Sequence, residues 1–271
     1  MRIGFVGCGA AGRPLGVAWR RKGHAIGGVR CRRTSAEAVR VLGAGVPDGS
    51  LEDADVVVFA TPDDALESAA REHALRPEQV ALHLSGAHPS TVLAPTGART
   101  AGLHPLCAFA DLETALATLP RAFVFVEGDA VETAERLARD LGGRVSRIAT
   151  KDKLLYHAGA AIAANYSVTL LSAARDLFRK AGVEEGLALE ALLQLMRSAL
   201  DGVARAGIPK GLTGPAARGD VSLVASQAVA LPEDLRRLDL VLLDATIPFA
   251  RAKGALSPEA EAALRRLSRP D

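Results

Sequence analysis

Ile3-Gly-Phe-Val-Gly-Cys-Gly-Ala-Ala-Gly12 is a short apolar run that breaks into glycines at residues 7, 9 and 12. The run has the hydrophobic character of a strand, and the residues after Gly12 carry apolar side chains at helical spacing. In a G-x-G-x-x-G frame between a strand and a helix, each glycine has a steric reason. Gly7 permits the tight turn, Gly9 lets a pyrophosphate approach the backbone, and Gly12 lets the helix pack on the strand. Free N–H groups and the positive end of the helix dipole then favour an anion at the helix start. Pro14, in the first helical turn, costs little by lacking a donor. Cys8, Ala10 and Ala11 complete the turn, so residues 7–12 form a candidate dinucleotide-binding segment.

Outward from this turn, strand-like runs alternate with helical segments as far as about residue 150. The strands are expected at Ile3–Val6, Ala25–Arg30, Asp55–Ala60, Val80–Leu84, Arg99–Leu103, Phe123–Val126 and Arg144–Ile148. Thr34 and Glu37 have capping-box spacing at the start of the helix after the second strand. The alternation predicts a parallel-type sheet covered by helices, an α/β Rossmann domain over 1–150. From Lys151 the strand signal fades. Helices are expected over Lys151–Ala181, Glu184–Ala206, Val221–Ala230, Glu233–Arg251 and Pro258–Leu267, the last capped by Ser257. Residues 151–271 therefore read as an all-helical domain. Its one interruption, Gly207–Asp220, is too rich in Gly and Pro for a regular element.

An enzyme specific for NAD places Asp or Glu at the end of the second strand, where the carboxylate accepts from ribose hydroxyls. This chain has Arg30-Cys-Arg-Arg-Thr-Ser35 there, with no carboxylate. Guanidinium groups form charge-assisted bonds to a 2′-phosphate, so Arg32, Arg33, Thr34 and Ser35 are candidate ligands and NADPH is the expected cofactor. A solvated basic loop is the plain alternative. The missing carboxylate also argues against an S-adenosylmethionine-dependent methyltransferase. Later strand ends should line the same crevice. Thr61, Pro62 and Asp63 follow one strand, and Ser85 and Gly86 follow another; each group is equally a turn sequence in its own right.

Composition narrows the class. Lys and Arg number 33 against 31 Asp and Glu, too even for the basic field that holds nucleic acid. Hydrophobic residues make up 49% and charged residues 24%, as in ordinary globular chains. Cys8, Cys31 and Cys107 are odd in number and widely spaced, which suits neither a disulfide framework nor a metal site and points to a cytoplasmic protein. No apolar stretch is expected to reach the roughly 20 uncharged residues of a membrane span.

The chain resembles a family of Rossmann oxidoreductase-like proteins that carry domain of unknown function 2520 at the C-terminus. The resemblance rests on the glycine turn, Ala60-Thr-Pro-Asp-Asp64, His83-Leu-Ser-Gly86, Leu103-His-Pro-Leu106, Lys153-Leu-Leu-Tyr-His157 running to Asn165-Tyr166, and Leu212-Thr-Gly-Pro-Ala-Ala-Arg-Gly-Asp220. The wider superfamily has a helical second domain like that of 6-phosphogluconate dehydrogenase. It includes pyrroline-5-carboxylate reductase, ketopantoate reductase, prephenate dehydrogenase and the β-hydroxyacid dehydrogenases. The resemblance implies hydride transfer to or from NADP in a cleft between domains, usually within a homodimer, and names no substrate.

Gly102-Leu-His-Pro-Leu106 is similar to the Gly-x-His-Pro-Met stretch of prephenate dehydrogenases, which implies a catalytic role for His104. An imidazole of near-neutral pKa could donate a proton as hydride reaches the substrate; ordering of its own loop is the alternative. Lys153 and His157 share a helix face, with Asn165 offset along it. Lys153 reads as a proton donor, as a ligand for a substrate carboxylate, or as a solvated residue at the helix start. The β-hydroxyacid dehydrogenases have Asn four residues after their Lys, where this chain has His157. The Leu212–Asp220 segment resembles a substrate-contacting loop of pyrroline-5-carboxylate reductases, so Thr213, Arg218 and Asp220 are implied substrate ligands. Asp220 is equally a helix cap, and Arg218 equally a surface cation. His24 and His83 read as structural. The expected activity is NADP(H)-dependent hydride transfer with a small carbonyl or imine substrate; the alternative is a catalytically idle NADP(H) sensor. Apolar faces in Tyr166–Phe178 and Leu187–Met196 suggest a homodimer built by the helical half.

Overall fold

The computed structural model describes residues 1–31, 35–43 and 50–269. The chain divides into two compact units, Met1–Ala163 and Ala164–Asp271.

The first unit is a seven-stranded sheet made of β1 (Arg2–Val6), β2 (Ala25–Arg30), β3 (Val56–Phe59), β4 (Val80–His83), β5 (Arg99–Pro105), β6 (Phe123–Gly128) and β7 (Arg144–Arg147). Its spatial order is β2-β1-β3-β4-β5-β6-β7. All seven expected strands form. The pairing is parallel except between β5 and β6, which run antiparallel, so the sheet is mostly rather than wholly parallel. Residues 106–122 join β5 to β6, and the chain re-enters the sheet in the opposite sense. The helices are α1 (Gly12–Arg21), α2 (Ser35–Leu42), α3 (Leu66–Glu72), α4 (Leu112–Thr118) and α5 (Val131–Asp140), followed by the start of α6 (Lys153–Lys180). One face of the sheet buries Ile3, Phe5, Val58, Leu82 and Leu103 with Leu15 and Trp19 of α1 and Leu137 of α5. Trp19 Nε1 donates to the Leu137 carbonyl at 2.9 Å, satisfying the polar edge of the largest buried ring. Val57, Phe59, Leu66 and Leu93 form a second cluster. The β-branched runs form central strands because both of their faces are covered.

The second unit contains the rest of α6, then α7 (Glu185–Ala206), α8 (Ile208–Gly211), α9 (Pro215–Arg218), α10 (Val221–Ala230), α11 (Glu233–Lys253) and α12 (Pro258–Ser268). Val224, Leu243, Ile247 and Leu264 form its core. Ser257 caps α12 through the Ala260 N–H, as expected. The segment before α10 differs from expectation: residues 208–211 and 215–218 each close a single helical turn, both opened by proline at a helix start.

The units divide inside α6, beyond the start of the helical run, because its first turns pack on the sheet. Lys153 is the one buried residue of this helix. Residues 154–174 contain no charged side chain, and the helical stretch Thr150–Lys180 is long and apolar enough to cross a membrane by length and composition. This corrects the expectation that no such stretch exists; its mean hydropathy of 1.2 is held down by His157, Asn165 and the hydroxyl residues.

Candidate functional site

Two polar regions of the first unit are built in different ways. The glycine turn opens a cleft of about 390 Å³ beyond the carboxyl ends of β1, β2 and β3. Because β2 and β3 flank β1 on opposite sides, this is the point where the chain order reverses, the place an open α/β sheet offers a ligand. Gly7 has φ +77, and a Cβ on it would lie 2.8 Å from the Ala60 carbonyl oxygen. At Gly9 an added Cβ meets nothing within 4 Å, so the backbone is open to an approaching group. At Gly12 it would lie 2.8 Å from the Ala60 Cβ, since α1 packs directly against the end of β3. The three steric roles read from the sequence are thus separately visible. Cys8, Thr61 and Pro62 also line the cleft, and Thr61 Oγ1 is buried without a hydrogen-bond partner. Such an orphan hydroxyl suits a cleft that a polar ligand completes. Burial pushes the Cys8 thiol up to about 12, which leaves it inert. Ala10 lines a smaller cavity beside Arg13 and Asp111, and Ala11 is the N-cap of α1.

Arg32, Arg33 and Thr34 lie outside the described residues, as does the capping box at Thr34. Arg30, at the end of β2, lines the cleft together with Cys31, Ser68 and Glu72. None of these four was among the candidate ligands. The Arg30–Arg33 run drew attention to the region, but Ser68 and Glu72 come from α3 and no local motif marks them.

The second region lies on the face of the sheet beneath the start of α6. The register aligns His83, Gly102 and Glu127 in one row across β4, β5 and β6. Two residues along, His104 and Phe125 form the next row on the same face. Lys153 on α6 lies over the first row and Tyr156 over the second. Glu127, which sequence reasoning missed, is 3% exposed and accepts from Ser90 N at 2.9 Å, Ser90 Oγ at 2.9 Å, Thr150 Oγ1 at 2.8 Å and Lys153 Nζ at 3.4 Å. Lys153 Nζ also donates to the Ser85 carbonyl at 2.9 Å. A Cβ on Gly102 would collide with Glu127 Oε1 and lie 2.9 Å from Lys153 Nζ, so glycine makes the room for this pair. Lys153 is therefore no solvated residue. Burial pulls its pKa down and Glu127 partly restores it.

Ser85 is committed to the protein. Its N–H donates to His83 Nδ1, and its hydroxyl accepts from the N–H groups of Ala87 and His88. Both of those bonds use the hydroxyl as an acceptor and leave its O–H able to donate. Gly86 sits against two imidazoles: a Cβ there would lie 2.7 Å from His157 Nδ1 and 2.9 Å from His104 Nε2. His104 and His157 have ring centroids 6.1 Å apart, and His157 Nδ1 is buried and unpartnered. Tyr156 Oη lies 2.8 Å from His104 Nδ1. Burial, then Lys153, then His157 drive His104 down to about 4, against a partial upward pull from Asp63. The near-neutral pKa expected of His104 is thus corrected; the ring is neutral at physiological pH because it is desolvated beside a cation. His83, read as structural, stands in the same cluster with its pKa driven well below 6.5 by burial.

Asn165, Thr213, Arg218 and Asp220 belong to the second unit. Asn165, Thr213 and Arg218 are exposed there. Asp220 caps α10, accepting from Leu223 N at 3.2 Å.

Residues 1–108 match the model of the Rossmann-like domain, and residues 122–240 match the domain of unknown function DUF2520. A comparison with curated protein sequences finds no match. Among solved structures, protein TM1727 from Thermotoga maritima is 25% identical with a TM-score of 0.68, covering 97% of this chain and 100% of that one. The proposed NADP oxidoreductase BF3122 from Bacteroides fragilis is 19% identical, with a TM-score of 0.73 and coverage of 93% and 97%. A 1-pyrroline-5-carboxylate reductase from Streptococcus pyogenes is 16% identical, with a TM-score of 0.63 and coverage of 99% and 98%. The last two identities establish a shared fold. With both domains matched in order along it, the chain belongs to the Rossmann-like proteins that carry a DUF2520 domain.

Proposed function

We propose that this protein is an NADP(H)-dependent oxidoreductase, transferring hydride to or from a small carbonyl or imine substrate that can bear a carboxylate. The observation that carries the reading is the glycine-turn cleft: open backbone at Gly9, an orphan hydroxyl at Thr61 and a guanidinium at the end of β2, where an NAD enzyme has a carboxylate. The cofactor, when bound, supplies the hydride. Gly7, Gly9 and the first turn of α1 would hold its phosphates, and Arg30 would serve its ribose end. The two neighbours named above, one a proposed NADP oxidoreductase and one a reductase of a cyclic imine carboxylate, support the same class. Calorimetric titration tests it: NADPH should bind more tightly than NADH, and equal or tighter binding of NADH removes the phosphate-reading role. NADPH consumption with a panel of keto acids and cyclic imines then tests hydride transfer.

A second reading, an idle NADP(H) sensor, is favoured by one feature. Lys153 is committed to Glu127 and Ser85, so it is no ready acid. Turnover of any substrate in the panel removes this reading.

The protein is further proposed to act as a homodimer in the cytoplasm. Leu154, Leu155 and Ile162 in the first unit, and Val168, Leu195 and Leu200 in the second, are all more than half exposed, and large apolar side chains left open to solvent suit an interface. A second copy is the commonest cover for such a surface. Light scattering should give about twice the 28.1 kDa chain mass; a monomer removes the proposal. Three cysteines, odd in number and widely spaced, suit a reducing compartment.

A further inference from the structure

The buried cluster around His104 has a feature that the hydride-transfer reading does not use. Tyr156 Oη lies 2.8 Å from His104 Nδ1, and among the described residues it has no other hydrogen-bond partner. The tyrosine ring is fixed from below by Phe125, with centroids 4.7 Å apart, and meets the His104 ring edge-on at 5.7 Å. Both contacts come from the same two-row register that sets Lys153 over Gly102. The position of the hydroxyl is therefore determined by the sheet and does not depend on a free rotamer.

We propose that Tyr156 is a positioning residue for His104: its hydroxyl donates to Nδ1 and keeps the proton of a neutral imidazole on Nε2, the nitrogen beside Gly86. The argument is one of donors and acceptors. A neutral imidazole has one N–H and one bare nitrogen, and the partner of one nitrogen decides where the proton sits. Burial pushes the Tyr156 phenol up to about 12, so it keeps its proton, and Nδ1 is the acceptor within its reach. Were Nδ1 to carry the imidazole proton, it would donate to the phenol oxygen, and the half-buried phenol would have to turn its own O–H toward a partner that no described residue supplies.

The charged and titratable groups around the ring agree with a neutral imidazole. Lys153 and His157 face it from α6, His83 stands on β4, Asp63 follows β3, and Glu127 on β6 pairs with Lys153 while also accepting from Ser90 and Thr150. His104 is then a hydrogen-bond donor through Nε2 and not a carrier of an extra proton. Where it faces a substrate, a clause that rests on the hydride-transfer reading, it polarises a carbonyl oxygen or holds an imine nitrogen's lone pair.

Histidine side-chain ¹⁵N spectra of the full chain test this without substrate or cofactor. In the unmodified protein the His104 nitrogens should report the Nε2–H form at neutral pH, and the ring should titrate well below 6.5, the ordinary imidazole value. In Tyr156→Phe, which keeps the contact with Phe125, the single form should give way to a mixture of the two. His83, whose Nδ1 accepts from Ser85 N, is the internal control and should keep its form in both proteins. An Nδ1–H form in the unmodified protein, or an unchanged form in Tyr156→Phe, overturns the proposal. If the variant loses the His83 signal by unfolding, the spectrum of the unmodified protein decides alone. Failure of NADPH to bind would count against the functional reading and leave this assignment standing. Once a turned-over substrate is in hand, Tyr156→Phe should lower kcat with the KM for NADPH unchanged.

Discussion

The glycine-turn cleft and the Glu127–Lys153 cluster are both polar places in one sheet unit, yet they are finished to opposite degrees. In the cleft Thr61 Oγ1 is left without a partner and Gly9 faces open space. In the cluster Glu127 has four donors and Lys153 has two acceptors, all within the chain. Buried polar groups without partners cost free energy, so a fold tolerates them where something else completes them. The cleft has the marks of a ligand site. The cluster has those of a device that holds α6 and the Ser85–Gly86 turn in place.

The strongest way to break this contrast is to remove one partner of the satisfied pair. Lys153→Met leaves Glu127 buried without its cation, and breaking such a pair costs about 3–5 kcal/mol. Chemical denaturation should show that loss. The double variant Lys153→Met with Glu127→Gln should recover most of it, since no charge is then stranded. A Lys153→Met protein as stable as the parent would mean that the pair is not formed in solution.

The same contrast explains how much could be read from the sequence. The cleft is nearly contiguous: Gly7 to Gly12 supply the turn, and each glycine's role follows from its own spacing. Arg30 was within sight for the same reason. The cluster draws on β4, β5, β6 and α6, and Glu127 meets Lys153 only because the β5–β6 pairing is antiparallel with Gly102 opposite Glu127. That register cannot be read locally. A carboxylate ending the apolar run Phe123–Val126 was the one available signal, and its meaning depended on a helix 26 positions further along. The low pKa of His104 was hidden similarly: the Gly-x-His-Pro match identified the residue, but its environment is made by Lys153 and His157.

Acid should reach the cluster by a predictable route. The folded-state pKa values of His104, about 4, and of His83, well below its ordinary 6.5, lie below those of the unfolded chain. Their contribution is complete above an ordinary imidazole pKa and is lost as pH falls, because the unfolded chain then takes up protons that the fold refuses. The melting temperature should therefore decline from 6.5 down to about 4. His104→Asn should blunt the decline, and a flat profile through that window would contradict the burial of both rings.

Two glycines of the turn allow the contrast to be sharpened with a single chemical change. Gly12→Ala drives a methyl to 2.8 Å from the Ala60 Cβ, an overpacking that costs about 1–3 kcal/mol of stability. Gly9→Ala meets nothing within 4 Å, so its stability should be close to the parent's. Its methyl would instead occupy the approach of the pyrophosphate, and NADPH affinity should fall by about tenfold or more, ~1.4 kcal/mol. Calorimetry on both variants checks this. A Gly9→Ala protein that binds NADPH normally would place the phosphates elsewhere.

The smallest expected effect falls on Thr61, and it has opposite signs in the two measurements. Thr61→Val replaces a buried hydroxyl that has no partner in the free protein with a methyl of the same shape. Nothing is stranded by the change, because the lost oxygen was bonded to no protein group, so stability should stay within about 0.5 kcal/mol of the parent or rise slightly. If the cleft is completed by a dinucleotide, the same oxygen gains a partner on binding, and its loss should weaken NADPH by about 0.5–1.5 kcal/mol, the usual net worth of one hydrogen bond. Thermal melting and calorimetry on one variant thus separate a ligand site from a packing defect. Unchanged affinity would make the orphan hydroxyl incidental. A marked loss of stability would mean that a water or another group already satisfies it, and that this end of the cleft is finished in the same way as the cluster.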